Sequence, residues 1–304
     1  MKKLLPTLRL SLDMTNVLAK IEHAGIKVNL ETLNDIRNEY EHELTTIDKR
    51  LKQIVSDVMG DTPINLNSAD DRSMLFYSRK INNKETWTRT FNIGHEMRGA
   101  TRKIKMRKKM SKELFARTIR NNTEVIKKTT GYQCGTCEGV GRVRFKLKNG
   151  QLGKANRLCK NCNATGVVYS QSKQVAGLRI VPRNTKDVAQ AGFKTDKTTL
   201  EEMLPALSGA AKEFVELYVR YSALRTYLST FVEGMENNVD ENNFIHPEFM
   251  QCITATGRLS SRNPNFQNMP RGSTFRIRKV VESRFEGGSI IEGDYSQLEF
   301  RVAG

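Results

Sequence analysis

Two C-x-x-C pairs, Cys134–Cys137 and Cys159–Cys162, constrain this chain more tightly than any other feature. They are separated by about twenty residues. If they act together, the stretch 131–168 closes on itself. Four thiolates in this arrangement suit a tetrahedral Zn²⁺ site, and a site closed by four ligands leaves no position for water, so its role is structural. The flanks repeat, C-G-T-C-E-G-V-G-R and then C-K-N-C-N-A-T-G, with glycines that permit tight turns aiming backbone N–H groups at sulfur. Val143–Leu147 and Leu152–Leu158, around Asn149-Gly150, read as a hairpin between the knuckles. The competing readings are four free thiols or a redox pair. Cys252, the fifth cysteine, lies in an apolar strand-like run and reads as buried. Cysteine usage of this kind points to a metal in a reducing compartment, the cytoplasm by default.

The rest of the chain is helical first and irregular later. Leu8–Ile21 predicts an amphipathic helix stopped at Gly25, and Leu33, Ile36, Tyr40, Leu44, Ile47, Leu51, Ile54 and Val58 form one continuous apolar stripe. Gly60-Asp61-Thr62-Pro63 ends that helix, and Ser68 with Asp71 reads as a capping box for the next. Periodicity returns over Thr198–Phe231, and from 240 onward short strands and turns take over. Near the end, 289–294 reads as a short buried strand that delivers Asp294, and Ser296 with Glu299 as the capping box of a following helix.

The 304 residues carry a net charge of +17, which points to a polyanion, most often nucleic acid. Arg98, Arg102, Lys103, Lys105, Arg107, Lys108 and Lys109 fall within a dozen residues, interleaved with Ile104 and Met106. That run is either the solvated face of an amphipathic helix or an arm that binds a phosphate backbone, with Arg102, Lys105 and Lys109 as its contacts. No apolar run is long enough to span a bilayer, and Pro6, Thr7 and Arg9 break the signal-like start, so no membrane partner is expected.

The cysteine stretch resembles half of the C-x-x-C-x-G-x-G zinc module of DnaJ-type chaperones, with Ala164 where the pattern has glycine. The resemblance covers about thirty residues and implies local architecture, not chaperone activity; the J-domain H-P-D is absent from the chain. A second resemblance is broader. T-x-T-G-R-L-S-S at 254–261, P-N-x-Q-N-x-P at 264–270 and D-Y-S-Q-x-E-x-R at 294–301 follow in the order seen in family A DNA polymerases, the DNA polymerase I type. I-N-L-N-S at 64–68 and its flanking helices look like that family's thumb.

The resemblance implies an α+β chain. Residues 1–77 and 193–239 would be a mostly helical thumb, 78–192 a basic and zinc-binding insertion with its module at 131–168, and 240–304 the first part of a palm. It implies Mg²⁺ at Asp294 and at the carbonyl of Tyr295. Tyr295, Ser296, Gln297 and Glu299 would meet the incoming dNTP, with Glu299 against its sugar excluding a 2′-hydroxyl. Arg258 and Ser260 would lie on DNA near the primer end, Asn265, Gln267 and Asn268 on the duplex near the template, and Arg301 would give electrostatic support. Primer-template DNA is the implied partner, with templated phosphoryl transfer in replication as the activity.

The family's fingers helix and second palm aspartate are not found in these residues. The expectation is therefore an enzyme part, inactive alone, that needs a C-terminal polymerase fragment. An intron or intein, a two-subunit enzyme, or a truncated frame would each produce it, in a bacterial or phage-infected cell. The alternative is a non-catalytic, zinc-containing DNA-binding or scaffold protein derived from a polymerase. Asp294 and Glu299, useless to a pure clamp, favour the enzyme.

Overall fold

The computed structural model describes residues 5–93, 109–146, 152–251, 253–254, 256–270, 275–298 and 301. Met1–Thr46 with Tyr221–Gly304 form one compact unit, and Ile47–Arg220 form another. Helices and strands are mixed throughout. Among the described residues no helix is long and apolar enough to cross a membrane.

In the first unit, α1 (Leu5–Ala24) stops at Gly25, whose φ is +68°. A Cβ at Gly25 would lie 2.7 Å from the His246 ring, so both backbone conformation and space demand glycine. β1 (Ile26–Lys27) then pairs antiparallel with β10 (Phe244–Ile245). The long stripe forms α2 (Leu30–Met59), and its first half buries Leu33, Ile36 and Tyr40. Tyr40 meets Tyr227 edge-on at 5.2 Å, and Tyr227 stacks on Phe275 at 4.4 Å, a geometry aromatic quadrupoles favour. Ion pairs of Arg37 with Glu236 and of Arg276 with Glu39 flank this cluster. β11 (Glu248–Met250) and β12 (Ser260–Arg262) form a further antiparallel pair.

The second unit packs the other half of α2, through Ile47, Leu51 and Ile54, with α3 (Ala69–Tyr77), α4 (Lys84–Phe91), α5 (Lys112–Asn122), α6 (Lys197–Met203) and the first part of α7 (Gly209–Tyr227). Phe76 sits edge-on to Phe214 and Tyr218, both at 5.5 Å. Trp87 is fully buried against Phe91 and Phe193, and its indole N–H donates to the Ala189 carbonyl at 2.9 Å. β2 (Arg79–Ile81) pairs with β3 (Thr123–Val125).

An antiparallel ribbon of β4 (Lys127–Gln133) and β7 (Val167–Val175) carries the cysteine stretch. Its base is tied to the end of α2: Asp61 N–H donates to the Thr129 carbonyl at 3.0 Å, and the Asp61 carboxylate accepts from Gly131 N–H at 2.7 Å. Gly60, at φ +72°, permits this approach, since a Cβ there would meet the Thr129 oxygen at 2.3 Å.

Several expectations change. The capping box at Ser68 is half formed: Ser68 Oγ accepts from Asp71 N–H, but the Asp71 carboxylate accepts from Asn65 N–H instead of reaching back to Ser68. Thr198–Phe231 is not one helix. Pro205 introduces a 3₁₀ turn at Leu204–Ala206, Gly209 takes φ +55°, and a π turn covers Leu228–Val232. Proline cannot donate its missing N–H to a continuing helix, whereas the apolar period runs on regardless. Residues 289–294 form no strand and are exposed, Ile291 at 92%; no described strand pairs with them. The final turn starts with Gln297, at φ +53°, whose carbonyl accepts from Arg301 N–H, so Ser296 does not occupy the cap. The expected basic helix over 98–109 falls outside the described residues up to 108; α5 starts separately, capped by Ser111 Oγ on Leu114 N–H at 3.3 Å.

Candidate functional site

The four cysteines converge. Cys134 and Cys159 sulfurs lie 3.8 Å apart, Cys137 and Cys162 sulfurs 3.6 Å apart, and all four lie within 4.8 Å of one another. A tetrahedron with Zn–S bonds of about 2.3 Å has edges of roughly 3.8 Å, so the Cys134–Cys159 and Cys137–Cys162 separations suit Zn²⁺. All four side chains are buried, with Val143 and Val168 packed against them.

The glycine flanks act as the repeat suggests. Gly141 N–H donates to Cys137 Sγ at 3.2 Å and Gly166 N–H to Cys162 Sγ at 3.3 Å. The knuckles cross: a Cβ on Gly141 would meet the Ala164 oxygen at 2.1 Å, and one on Gly166 the Gly139 oxygen at 2.1 Å. Ala164 itself takes φ +68°, the conformation the missing glycine would adopt freely. Burial opposes charge on Cys134, but hydrogen bonds from the Asn161 amide and from the Cys137 and Thr136 backbone outweigh it and lower that thiol to about 6. Burial pushes Cys137 up to about 11. Asn161, 3.4 Å from Cys134 Sγ, escaped the sequence reading, because its signal is a single polar residue inside the second knuckle. Between the knuckles, β5 (Arg142–Lys146) and β6 (Leu152–Leu158) form the expected hairpin.

In the first unit the polar motifs form a turn built around Ser261. Ser260 and Ser261 alternate on β12, which leaves Ser261 buried. Ser261 Oγ donates to Asn265 Oδ1 at 3.1 Å and accepts from Gln267 N–H at 3.4 Å, and Asn265 Oδ1 also accepts from Asn268 N–H at 3.2 Å. Asn265 therefore caps the 3₁₀ turn at Phe266–Asn268, while the Gln267 and Asn268 side chains stay exposed. Glu248, held below the usual carboxylate range first by Asn263 and then by Arg262, fixes the other side of this turn. Arg258 is exposed beside a tight turn in which Thr254 Oγ1 donates to its carbonyl at 2.7 Å.

Asp294, Tyr295, Ser296 and Gln297 are all exposed, Tyr295 at 74%, and so is Arg301. Among the described residues the four cysteines are the one cluster of three or more ligating side chains, and Asp294 belongs to no such cluster there. A lone carboxylate and the Tyr295 carbonyl fit part of a Mg²⁺ site, not a whole one. Lys109 is exposed ahead of α5, whereas Arg102, Lys105, Cys252 and Glu299 lie outside the described residues.

Four convergent cysteines on a ribbon, able to hold a metal ion, together with a hydrogen-bonded Ser/Asn turn followed by an exposed Asp-Tyr-Ser-Gln, mark a mixed α and β protein. Residues 166–304 match the model of DNA polymerase family A. It is 36% identical over 103 residues to the DNA polymerase of Bacillus phage SP01, an alignment covering 31% of this chain and 11% of that protein. DNA polymerase I of Treponema pallidum (strain Nichols) is 38% identical over 113 residues, with 36% and 11% covered. The thermostable DNA polymerase I of Thermus filiformis is 40% identical over 116 residues, with 36% and 14% covered. The matched stretch thus spans only a small part of each relative. Among solved structures, the POL domain of Pol1 from M. smegmatis, in complex with DNA primer-template and dNTP, gives a TM-score of 0.42 at 18% identity, covering 89% of this chain and 28% of that one.

Proposed function

We propose that this chain supplies part of a DNA-directed DNA polymerase that extends a primer 3′ end on a template during replication. The family A match over 166–304 carries this reading, because it spans all three ordered motifs. In this reading 240–304 belong to the palm, 1–77 and 193–239 to the thumb, and 78–192 to a thumb insertion.

Magnesium, when bound, stabilises charge on the attacking and leaving oxygens of the phosphoryl group. Toward it this chain offers the Asp294 carboxylate and the Tyr295 carbonyl. By the motif, Glu299 would exclude a 2′-hydroxyl from the incoming nucleotide, and Ser296 and Gln297 would contribute to nucleotide binding. Arg258 and Ser260 approach the primer end, and Gln267 and Asn268 project from the turn that Ser261 and Asn265 hold, free to reach the duplex. Arg301 supports the site electrostatically. Cys134, Cys137, Cys159 and Cys162 would hold Zn²⁺ as a structural ion, and the basic ribbon adds phosphate contacts.

Primer extension tests the reading. The 304 residues alone should incorporate no nucleotide, since one aspartate cannot hold two cations against like-charged phosphates. Adding a fragment with fingers and a second palm aspartate should produce synthesis. Asp294→Ala should then abolish synthesis while DNA binding persists, and Glu299→Ala should weaken rejection of ribonucleotides. A mixture that binds primer-template yet never extends it would count against the enzyme and for the scaffold alternative.

A further inference from the structure

A cavity of about 1010 Å³ lies in the second unit between α5, β3 and the stretch 175–184. Its size is that of a ligand site, at the upper end of the usual range. Among the described residues five cations line it, Arg79, Lys112, Arg120, Arg179 and Arg183, and no carboxylate does. Arg183 is already engaged, with Asp187 at 2.8 Å and Glu202 at 2.9 Å. Among the described residues no carboxylate pairs with the other four. Arg79 gives one N–H to Thr123 Oγ1 at 3.1 Å and Arg179 one to the Val175 carbonyl at 3.2 Å. A guanidinium has five N–H donors, so most remain available.

The wall between these cations is aliphatic. Ile119 and Ile180 form buried parts of the lining, while Val125 and Val181 stand 40% and 78% exposed. We propose that this cavity docks an acidic segment of a partner protein that carries aliphatic side chains. Unpaired cations around an apolar wall match carboxylates around leucine or isoleucine, and pairing with the partner's acids relieves repulsion among the four. A nucleic acid strand fits less well, because sequence-tolerant strand binding uses open aromatic faces for stacking. Here the lining aromatics, Tyr77 and Phe115, are 3% and 5% exposed, and the Tyr77 hydroxyl is spent on the Lys194 carbonyl. The chain's own basic run at 98–109 has the wrong sign of charge to fill the cavity. This proposal goes beyond the polymerase reading and does not depend on it.

Fluorescence anisotropy on the whole chain tests it, with three labelled probes: a short peptide of Asp, Glu and Leu, its analogue with Ser at every Leu, and single-stranded oligo-dT. The Leu peptide should bind, and the Ser analogue should bind about tenfold more weakly or worse. Lys112→Glu with Arg120→Glu should weaken the Leu peptide by at least about tenfold, as loss of close charge pairs does, and Val181→Ser should weaken it too. All three positions are exposed, so the fold does not depend on them. A readout without substitution is hydrogen exchange, in which the peptide should protect 112–125 and 176–184. Equal binding by the Ser analogue, or no protection there, would overturn the proposal by reducing it to bulk charge. Oligo-dT that competes with the peptide and is itself weakened by Val181→Ser would overturn it in favour of nucleic acid.

Discussion

At Gly141 a single hydrogen atom in place of a methyl group decides whether two knuckles can meet. Its φ of +73° and the Ala164 oxygen 2.1 Å from any Cβ leave no room for a side chain. Gly141→Ala should therefore cost the left-handed penalty of about 1–2 kcal/mol and force the knuckles apart, lowering zinc affinity. Gly135→Ala is the control: nothing lies within 4 Å of its Cβ position, and zinc content should not change. The purified chain should carry about one zinc, as one closed four-thiolate site requires. Cys134→Ser should lose the metal and raise hydrogen exchange over 131–168 while the helices of the second unit stay protected. Metal analysis finding no zinc after anaerobic purification would remove the structural role. The convergence of the four cysteines was legible in the sequence, because two C-x-x-C pairs with repeated glycine flanks announce it. Asn161 and Ser261 were not, since each acts through a tertiary contact that leaves no periodic trace.

Helix ends are where element-scale reading and structure part company. Asp196 caps α6, accepting from Thr199 N–H at 3.1 Å and from Thr199 Oγ1 at 2.8 Å. Its partial burial works against the carboxylate, but the two Thr199 bonds outweigh it, and its pKa falls below the ordinary value. A carboxylate with a lowered folded pKa stabilises above its unfolded pKa, and that stabilisation disappears as pH falls through the folded value. Asp196→Ala should therefore cost about 1 kcal/mol near neutral pH. In urea unfolding its deficit should shrink as pH falls below about 4. Asp196→Asn, which keeps an acceptor without the charge, should show a smaller deficit that varies little with pH. A deficit for Asp196→Ala that persists unchanged into acid would show that packing, not the cap, was lost. The long stripe of α2 was readable end to end because its burial follows its period. The break at Leu204–Gly209 was not, because the apolar spacing continues through Pro205 in phase. Residues 289–294 read as a strand on composition alone, but a strand also needs a partner for its backbone groups.

For the molecule as a whole, charge is distributed more unevenly than the net +17 suggests. Residues 127–175 hold ten Lys and Arg against Glu138 alone, a net +9. Four thiolates on one Zn²⁺ would take back two of those charges. This segment can be removed cleanly, because Ala176 N–H donates to the Ile126 carbonyl at 3.1 Å, so its two flanks already lie side by side. An Asn-Gly turn joining Ile126 to Ala176 would close the gap with hairpin geometry and leave Trp87, Phe91 and Phe193 in place. If the ribbon and its metal module follow duplex DNA, each phosphate contact releases counterions, and log K falls with log salt by about 0.9 per contact. The intact chain should bind duplex DNA without sequence preference and with a steep slope. The chain lacking 127–175 should bind more weakly at physiological salt, with a slope shallower by about 2 or more. In an extension reaction supplied with a fragment that carries palm and fingers, the deletion should shorten products per binding event but leave the rate of single-nucleotide addition unchanged. Identical salt slopes for the two proteins would place the ribbon's charge away from DNA. A fall in the single-addition rate would mean instead that the ribbon positions the primer end.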